Sequence, residues 1–288
     1  TWITKKGLPI YRGTRDVSAE RTWYHLTKVN DLDAKNFWLQ RIEIWSGNVA
    51  GRSGGNDHVV GGYRVGMSKI WYEDTTYIFP NENDYGYGIF LLDDKSRDYV
   101  LKNIQNENDD FFLRTMMWGS LWDSVREGEL DPKNYVELVI KNIGFEKDEG
   151  TIQTLLSRVT TAMNYYMSEP PASAGGTNAV RKSTSGKTTA TPPAYAGGSA
   201  LTARLENLLI DKIQNASTQG QRITYYRAFL NIASTERARD ILKQILKAGS
   251  GSTISSNQLT LKTKDKFDIV TRLAILSDTD APKLLADL

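Results

Sequence analysis

Alternating apolar and polar positions along residues 1–94 predict β-strands. Five segments are rich in aromatic and β-branched side chains: residues 22–29, 37–45, 61–74, 75–81 and 86–94. Within residues 37–45, Ile42 and Ile44 fall on one face, and Glu43 and Trp45 fall on the other, as in a half-buried strand. Turn-rich segments such as residues 46–57 separate these runs. Several short strands separated by turn-rich segments indicate a small β-sandwich.

From about Ser96 the apolar period becomes that of a helix. Apolar side chains over residues 111–125 fill one broad side of a helix, and Gly128 is a predicted stop signal. Asp131 followed by Pro132 is a favourable helix start, because Asp caps free backbone N–H groups and Pro needs no N–H there. Further helices are predicted over residues 149–167, 200–216, 219–233, 234–249 and 263–278, and another begins within 280–288. Ser234 or Thr235 is the predicted cap of the helix over residues 234–249.

Successive helices of this length joined by short loops predict a bundle or a solenoid of stacked antiparallel helices. No repeat of fixed period supports the solenoid. Residues 168–200 are mostly Pro, Gly, Ser, Thr and Ala, and predict a flexible insertion or linker. The chain is therefore expected to have two parts, a β-sandwich domain over residues 1–94 and an α-helical domain over residues 95–288.

Composition narrows the class of protein only modestly. The 288 residues are 40% hydrophobic and 24% charged, as in an ordinary soluble protein, and the net charge of +2 argues against nucleic acid or an anionic membrane as a partner. No apolar run approaches the roughly 18 residues of a membrane span. The absence of cysteine excludes disulfides and thiolate chemistry but leaves the compartment open.

Candidate catalytic groups are sparse. His25 and His58 are the two histidines, no HExxH motif occurs, and a zinc site needs three protein ligands. We interpret His25 as a strand residue with a local hydrogen bond and His58 as a solvated residue of a Gly-rich loop. The glycines of residues 51–66 fit no phosphate-binding spacing and predict a hairpin loop.

Clusters of charge are likewise interpreted as surface features. The carboxylate pairs Asp93–Asp94, Asp109–Asp110 and Glu127/Glu129 are typical of solvated helix ends. The basic residues Arg181, Lys182 and Lys187 lack the interleaved aromatic side chains of a nucleic-acid site. The residues alone therefore predict no catalytic, cofactor-binding or metal-binding group and leave substrate-binding residues unknown.

The stretch MMWGSLWDSVREGELDP, residues 116–132, has two alternative interpretations. Trp118 and Trp122 are four residues apart and share one helix face, which suits either core packing or a recognition surface. Core packing is favoured because Met117, Leu121 and Val125 surround them. Asp123 and Arg126 would then form a salt-bridged rim.

The same stretch carries a resemblance to a known family. FLRTMMWGSLWDSVREGELDPKNYVELVIKNI followed by DEGTIQTLLSRVTTAM resembles the start of the helical C-terminal domain of the aminopeptidase N family, which are zinc aminopeptidases of the gluzincin type. The upstream YIFPNENDYGYGIFLLDDKSRDYVLKNI resembles the family's link from its β-sandwich into that domain. LTLKTKDKFDIVTRLAILSD resembles a later helix, and GLPI more weakly the start of the sandwich.

The resemblance implies a β-sandwich followed by a HEAT/armadillo-like array of helices that closes the substrate cavity over a catalytic domain. The family's zinc motif, its glutamate ligand, its GxMEN motif and its catalytic tyrosine have no counterpart here. The expectation is thus a non-catalytic C-terminal fragment whose parent binds zinc and peptide substrate through a domain preceding residue 1. A stand-alone helical-repeat interaction module with an appended β-sandwich is the alternative.

Overall fold

A computed structural model describes residues 9–17, 22–28, 42–47, 58–60, 68–72, 77–106, 111–167, 198–247 and 261–288. Its strands are β1 (Ile10–Val17), β2 (Thr22–Lys28), β3 (Ile42–Gly47), β4 (His58–Val60), β5 (Ser68–Tyr72), β6 (Tyr77–Pro80) and β7 (Ile89–Leu91). Its α-helices are α1 (Asp94–Asn103), α2 (Phe111–Arg126), α3 (Pro132–Asn142), α4 (Glu149–Thr161), α5 (Gly198–Asn215), α6 (Gln219–Ile232), α7 (Glu236–Lys247), α8 (Thr263–Ile275) and α9 (Ala281–Ala286).

The chain divides into two compact units, residues 1–138 and 139–288, so that the boundary falls within α3. The change from strands to helices comes earlier, between Leu91 and Asp94. The proposed domain division at residues 94 and 95 stays a prediction. Within the described ranges, none of the helices has the length and apolar character to cross a bilayer.

The strands that the structure describes in the first unit form two β-sheets. One has the strand order β5-β2-β1-β7 and the other the order β4-β3-β6. All these pairs are antiparallel except β1 with β7, in which Ile10 lies opposite Ile89. Both sheets contribute to one cluster of buried apolar side chains, which consists of Tyr11, Tyr24, Leu26, Ile42, Ile44, Ile78 and Phe90.

The strand β1 was missing from the sequence-based prediction because its inward positions are atypical. Tyr11 is buried and stacks on Phe90 at a ring distance of 5.1 Å, but the next inward residue is Gly13. A side chain at Gly13 would overlap the ring of Tyr24 on the neighbouring strand. Arg15 follows, and it is mostly buried against Asp93. Because Gly13 and Arg15 occupy inward positions, the alternation of apolar and polar residues that predicts a strand is absent from β1.

Hydrogen bonds join α1 to the sheets. Arg15 Nε donates to Asp93 Oδ1 at 2.7 Å, and its terminal nitrogen donates to Ser96 Oγ at 2.7 Å. The same Ser96 hydroxyl donates to Asp93 Oδ2 at 2.5 Å and accepts the backbone N–H of Ile78 in β6 at 2.8 Å. Asp93 also caps α1 by accepting the N–H of Ser96. Asp93 is therefore a buried ion-pair partner, whereas the sequence suggested a solvated carboxylate.

Helix signals in the sequence are confirmed at several ends. Gly128 has a φ of +75°, which suits glycine and ends α2. Asp131 accepts the N–H of Lys133 at 2.8 Å at the start of α3. Thr235 accepts the N–H of Ala238 at 3.2 Å and caps α7. Of the predicted flexible range, residues 168–197 lie outside the described residues, and residues 198–200 form the first turn of α5.

In the second unit, α6 is central. It contacts α4, α5 and α8, and α8 in turn contacts α7 and α9. The apolar contact is made by side chains at helical spacing, including Leu205 and Leu209 of α5 and Tyr225 and Phe229 of α6, which are all buried. Thr218 caps α6 and also donates to Glu149 Oε1 at 2.7 Å, which ties the start of α6 to the start of α4.

Candidate functional site in the helical unit

One tryptophan of the α2 pair belongs to the core of the first unit, and the other lies at its margin. Trp118 is 1% exposed and meets Tyr135 of α3 edge-on, with ring centroids 6.1 Å apart. Trp122 is only partly buried and lies 5.4 Å from the same ring. Packing is therefore confirmed for Trp118, while Trp122 lies at the margin of the core.

Charged residues after the tryptophans form the expected rim. Arg126 and Asp123 are 3.6 Å apart with side-chain exposures of 48% and 26%. Glu129 pairs with Arg97 at 3.4 Å and with Arg12 of β1, and Glu127 is exposed. These contacts hold α2 and α1 to the sheet and do not form a catalytic arrangement.

The two histidines lie in strands of different sheets. His25 lies in β2 as expected, paired with Thr14 and Lys69 on the neighbouring strands. His58 begins strand β4 opposite Ile44, so its interpretation as a loop residue was wrong. The sequence could not show this, because β4 has only three residues between glycine-rich segments. Asp109 and Asp110 and the basic residues 181, 182 and 187 lie outside the described residues.

A groove between α6 and α8 is the strongest candidate for a ligand site in the second unit. Its volume is about 670 Å³, and its apolar lining includes Ile223, Leu230 and Ile275. Cationic side chains of Arg227, Lys262, Lys264 and Arg272 stand beside it, together with the carboxylates of Asp265 and Asp268. Polar and charged side chains thus outnumber the apolar ones in its lining, and convergent polar groups are what orient a ligand in a concave site.

The acidic side chains of this groove are already engaged. Asp265 accepts the backbone N–H of Lys262 at 2.8 Å and so caps α8. Asp268 Oδ2 lies 2.7 Å from Nζ of Lys264, one turn earlier in α8. Arg227 and Lys262, in contrast, have no ion-pair partner within the described part of the chain. The groove therefore favours an anionic or carbonyl-bearing ligand.

Tyr226 lies buried at the base of the groove. Its hydroxyl donates to the carbonyl of Asp265 at 3.4 Å. Burial raises the pKa of Tyr226 well above its usual value, and the nearby carboxylates of Asp265 and Asp268 raise it further, while Arg227 opposes them. Tyr226 is therefore neutral across the physiological range and can act only as a hydrogen-bonding phenol.

Arg272 connects the groove to the turn between α6 and α7. Its Nε donates to the carbonyl of Ala233 at 3.0 Å. Burial lowers the pKa of Arg272, and the carboxylate of Glu206 partly offsets this effect. An arginine in such a site remains charged, so it fixes a positive charge at one end of the groove.

Glu206 of α5 holds this turn through several hydrogen bonds. The side chain is 2% exposed. Its Oε1 accepts the N–H groups of Ser234 and Thr235 at 2.7 and 3.1 Å, and its Oε2 accepts the Thr235 hydroxyl at 2.5 Å. A carboxylate at the start of α7 is also favoured by the helix dipole. Nothing in the sequence distinguishes this glutamate from a surface residue, because its partners lie 28 and 29 residues away.

Residues 77–259 match the family described as the ERAP1-like C-terminal domain. The chain belongs to this family. The match begins at β6 and includes the Trp118 stretch and α6, whereas α8 follows it. The resemblance stated from the sequence is thereby confirmed.

Two proteins to which this chain is similar are aminopeptidases. Aminopeptidase N of Streptomyces lividans is 33% identical over 86 residues, which are 30% of this chain and 10% of that protein. The crystal structure of Legionella pneumophila aminopeptidase A in complex with aspartic acid has a similar fold, with a TM-score of 0.52 at 12% identity. That match covers 99% of this chain and 33% of the Legionella chain. The chain thus corresponds to a third or less of these relatives.

Zinc would be the metal implied by a relationship to aminopeptidases, and the residues of this chain do not fit it. The sequence lacks HExxH and has two histidines. Within the described ranges, no three His, Asp or Glu side chains come together as a possible metal site. A catalytic zinc needs three such ligands. No step of a reaction is therefore assigned to zinc in this chain.

Proposed function

We propose that this chain is the non-catalytic C-terminal portion of a zinc-dependent aminopeptidase and closes the substrate cavity over a catalytic domain that precedes residue 1. In this proposal, residues 1–94 form a β-sandwich and residues 95–288 form a solenoid of stacked antiparallel helices. The observation that carries the proposal is the family match over residues 77–259. The two sheets with a shared core and the alternating helix contacts support it.

The α6–α8 groove is the proposed contact for the remote part of a peptide substrate. Its apolar lining suits a side chain, and Arg227, Lys262 and Arg272 suit backbone carbonyls or a carboxylate. Binding energy from remote parts of a substrate can raise turnover as well as affinity. The groove would therefore affect long peptides and leave the chemistry at the scissile bond to the catalytic domain.

The experiment uses the full-length parent enzyme. Arg227→Gln, which removes one positive charge from the groove, is compared with Lys283→Gln, which removes one from exposed α9. We expect kcat/KM for peptides of several residues to fall about threefold to tenfold only for Arg227→Gln, as for loss of one charged contact. Hydrolysis of a single aminoacyl chromophore should not change. Equal effects on both substrates would contradict the proposal.

The isolated chain is predicted to be inactive, since its own residues offer no metal site. Equilibrium dialysis should find no stoichiometric zinc, and aminoacyl substrates should not be hydrolysed. Zinc bound one-to-one, with turnover lost on chelation, would overturn this prediction.

A stand-alone helical-repeat interaction module remains the alternative. The reading frame upstream of Thr1 separates the two: an HExxH followed by a glutamate ligand favours the aminopeptidase, and its absence favours the module.

A further inference from the structure

A second groove lies between α5 and α7, separate from the one already described. Its volume is about 530 Å³. From α5 it is lined by Asn207, Ile210, Asp211 and Gln214. From α7 it is lined by Arg237, Asp240, Ile241 and Gln244. Each set follows the spacing i, i+3, i+4, i+7, so each forms one stripe along its helix.

The two stripes run side by side. Glu206 precedes the first stripe directly and is bonded to Ser234 and Thr235, which precede the second. The Glu206 contact thus brings the residues before the two stripes together. Because both stripes line the same groove onward from that contact, α5 and α7 run in the same direction there. Seven residues of helix span about 10 Å. Asp211 comes five residues after Glu206, and Asp240 comes five residues after Thr235, so the two carboxylates lie at the same distance along the groove. The end of the groove farthest from Glu206 is lined by Gln214 and Gln244.

The polar groups of the groove suit a peptide backbone with a basic side chain. Carboxamides both donate and accept, as peptide groups do, and Asn207 supplies one. Gln214 and Gln244 supply two more, and each already has an interaction within the chain. The side chains of Asp240 and Asn207 make no hydrogen bond or ion pair with any other residue that the structure describes. Asp211 Oδ1 accepts from Asn215 at 2.8 Å, which orients its carboxylate. Arg237 lies at the opposite end, beside Asn207, about one helical turn from the carboxylates.

We propose that the α5–α7 groove binds an extended segment of another polypeptide that presents a lysine or arginine between Asp211 and Asp240. An extended chain rises about 3.3 Å per residue, so three to four residues would span the stripes. The buried Glu206 keeps the walls at a fixed separation before binding, which reduces the ordering cost. This inference does not depend on the assignment to an aminopeptidase.

The test measures binding of terminally blocked pentapeptides to the full 288-residue chain by NMR titration. The peptides share an alanine–glycine sequence and carry Lys, Gln or Glu at the centre. We expect the Lys peptide to bind about fivefold to tenfold more tightly than the Glu peptide, as for one or two partly exposed charge pairs. The side-chain amide signals of Gln214 and Gln244 should shift on binding.

Matched variants distinguish the groove from general attraction by charge. Asp211→Asn with Asp240→Asn should abolish the preference for Lys. Glu127→Gln with Asp287→Asn removes the same two charges at exposed positions elsewhere and should preserve it. Circular dichroism checks that each variant is folded. Loss of preference in both pairs, no preference in the unaltered chain, or tighter binding of the Glu peptide would each overturn the proposal.

Discussion

Trp118 and Trp122 offer a direct comparison of burial on one helix. Both rings contact Tyr135, but Trp118 is 1% exposed whereas Trp122 is partly exposed. Truncation of a fully buried tryptophan to alanine costs about 3–5 kcal/mol, because it removes apolar contact and leaves a cavity. We therefore expect Trp118→Ala to lower the free energy of unfolding of the first unit by that amount. Trp122→Ala should cost roughly half as much, since less area is lost from contact.

Tryptophan fluorescence isolates the relevant transition. All seven tryptophans, Trp2, Trp23, Trp38, Trp45, Trp71, Trp118 and Trp122, lie in the first unit. Denaturant unfolding followed by fluorescence therefore reports on that unit, and the midpoint and slope together give the stability change. Each variant retains six of these reporters.

Phe112→Ala on the same helix is the control, because that side chain is 47% exposed and should cost under about 1 kcal/mol. A loss for Trp122→Ala equal to or larger than that for Trp118→Ala would refute the reasoning from burial. Similar midpoints for all three variants would show that α2 does not limit the stability of the unit.

Two further predictions concern the second unit. Glu206→Gln should lower the free energy of unfolding of this unit by about 1–3 kcal/mol, because an amide nitrogen replaces one acceptor oxygen, and amide hydrogen exchange should become faster at the start of α7. The control is Glu236→Gln at an exposed position, and equal losses in the two variants would contradict the anchoring role of Glu206. Burial raises the pKa of Tyr225 from 10.0 to about 12, and the carboxylate of Glu146 adds to this effect. Because the unfolded chain loses the phenol proton at a lower pH than the folded chain, the free energy of unfolding should fall as pH rises from 10 to 12, by at most about 3 kcal/mol. Urea unfolding measured below and above pH 10 checks this pH dependence of stability. The same dependence in a Tyr225→Phe variant would contradict its assignment to Tyr225.

Helix positions were predictable because their signals are local. The Asp131–Pro132 start, the Gly128 stop and the Thr235 cap each involve neighbouring residues, and the structure confirms them. The strands were less predictable, since β1 places Gly13 and Arg15 on its inward face. An inward arginine is stable only with a partner such as Asp93, which lies 78 residues away.

The candidate groove could not be predicted from the sequence at all. Its walls come from α6 and α8, and a single sequence gives no distance between them. Ile223 and Leu230 have the spacing of core residues, and they give no sign that they face a groove. Glu206 was hidden for the same reason: its burial follows from the position of Ser234 and Thr235, not from its neighbours in α5.

The parallel pairing of β1 with β7 has a consequence for synthesis on the ribosome. Residues 10–12 can find their partners only after residues 89–91 have left the exit tunnel. Until then, the free edge of β1 is open to pairing with other chains. The pairing of β1 with β2 can form earlier, because the two strands are close in sequence. A translational pause placed before the codon for Ile89 should therefore increase aggregation of nascent chains, whereas a pause placed after α1 has emerged should not.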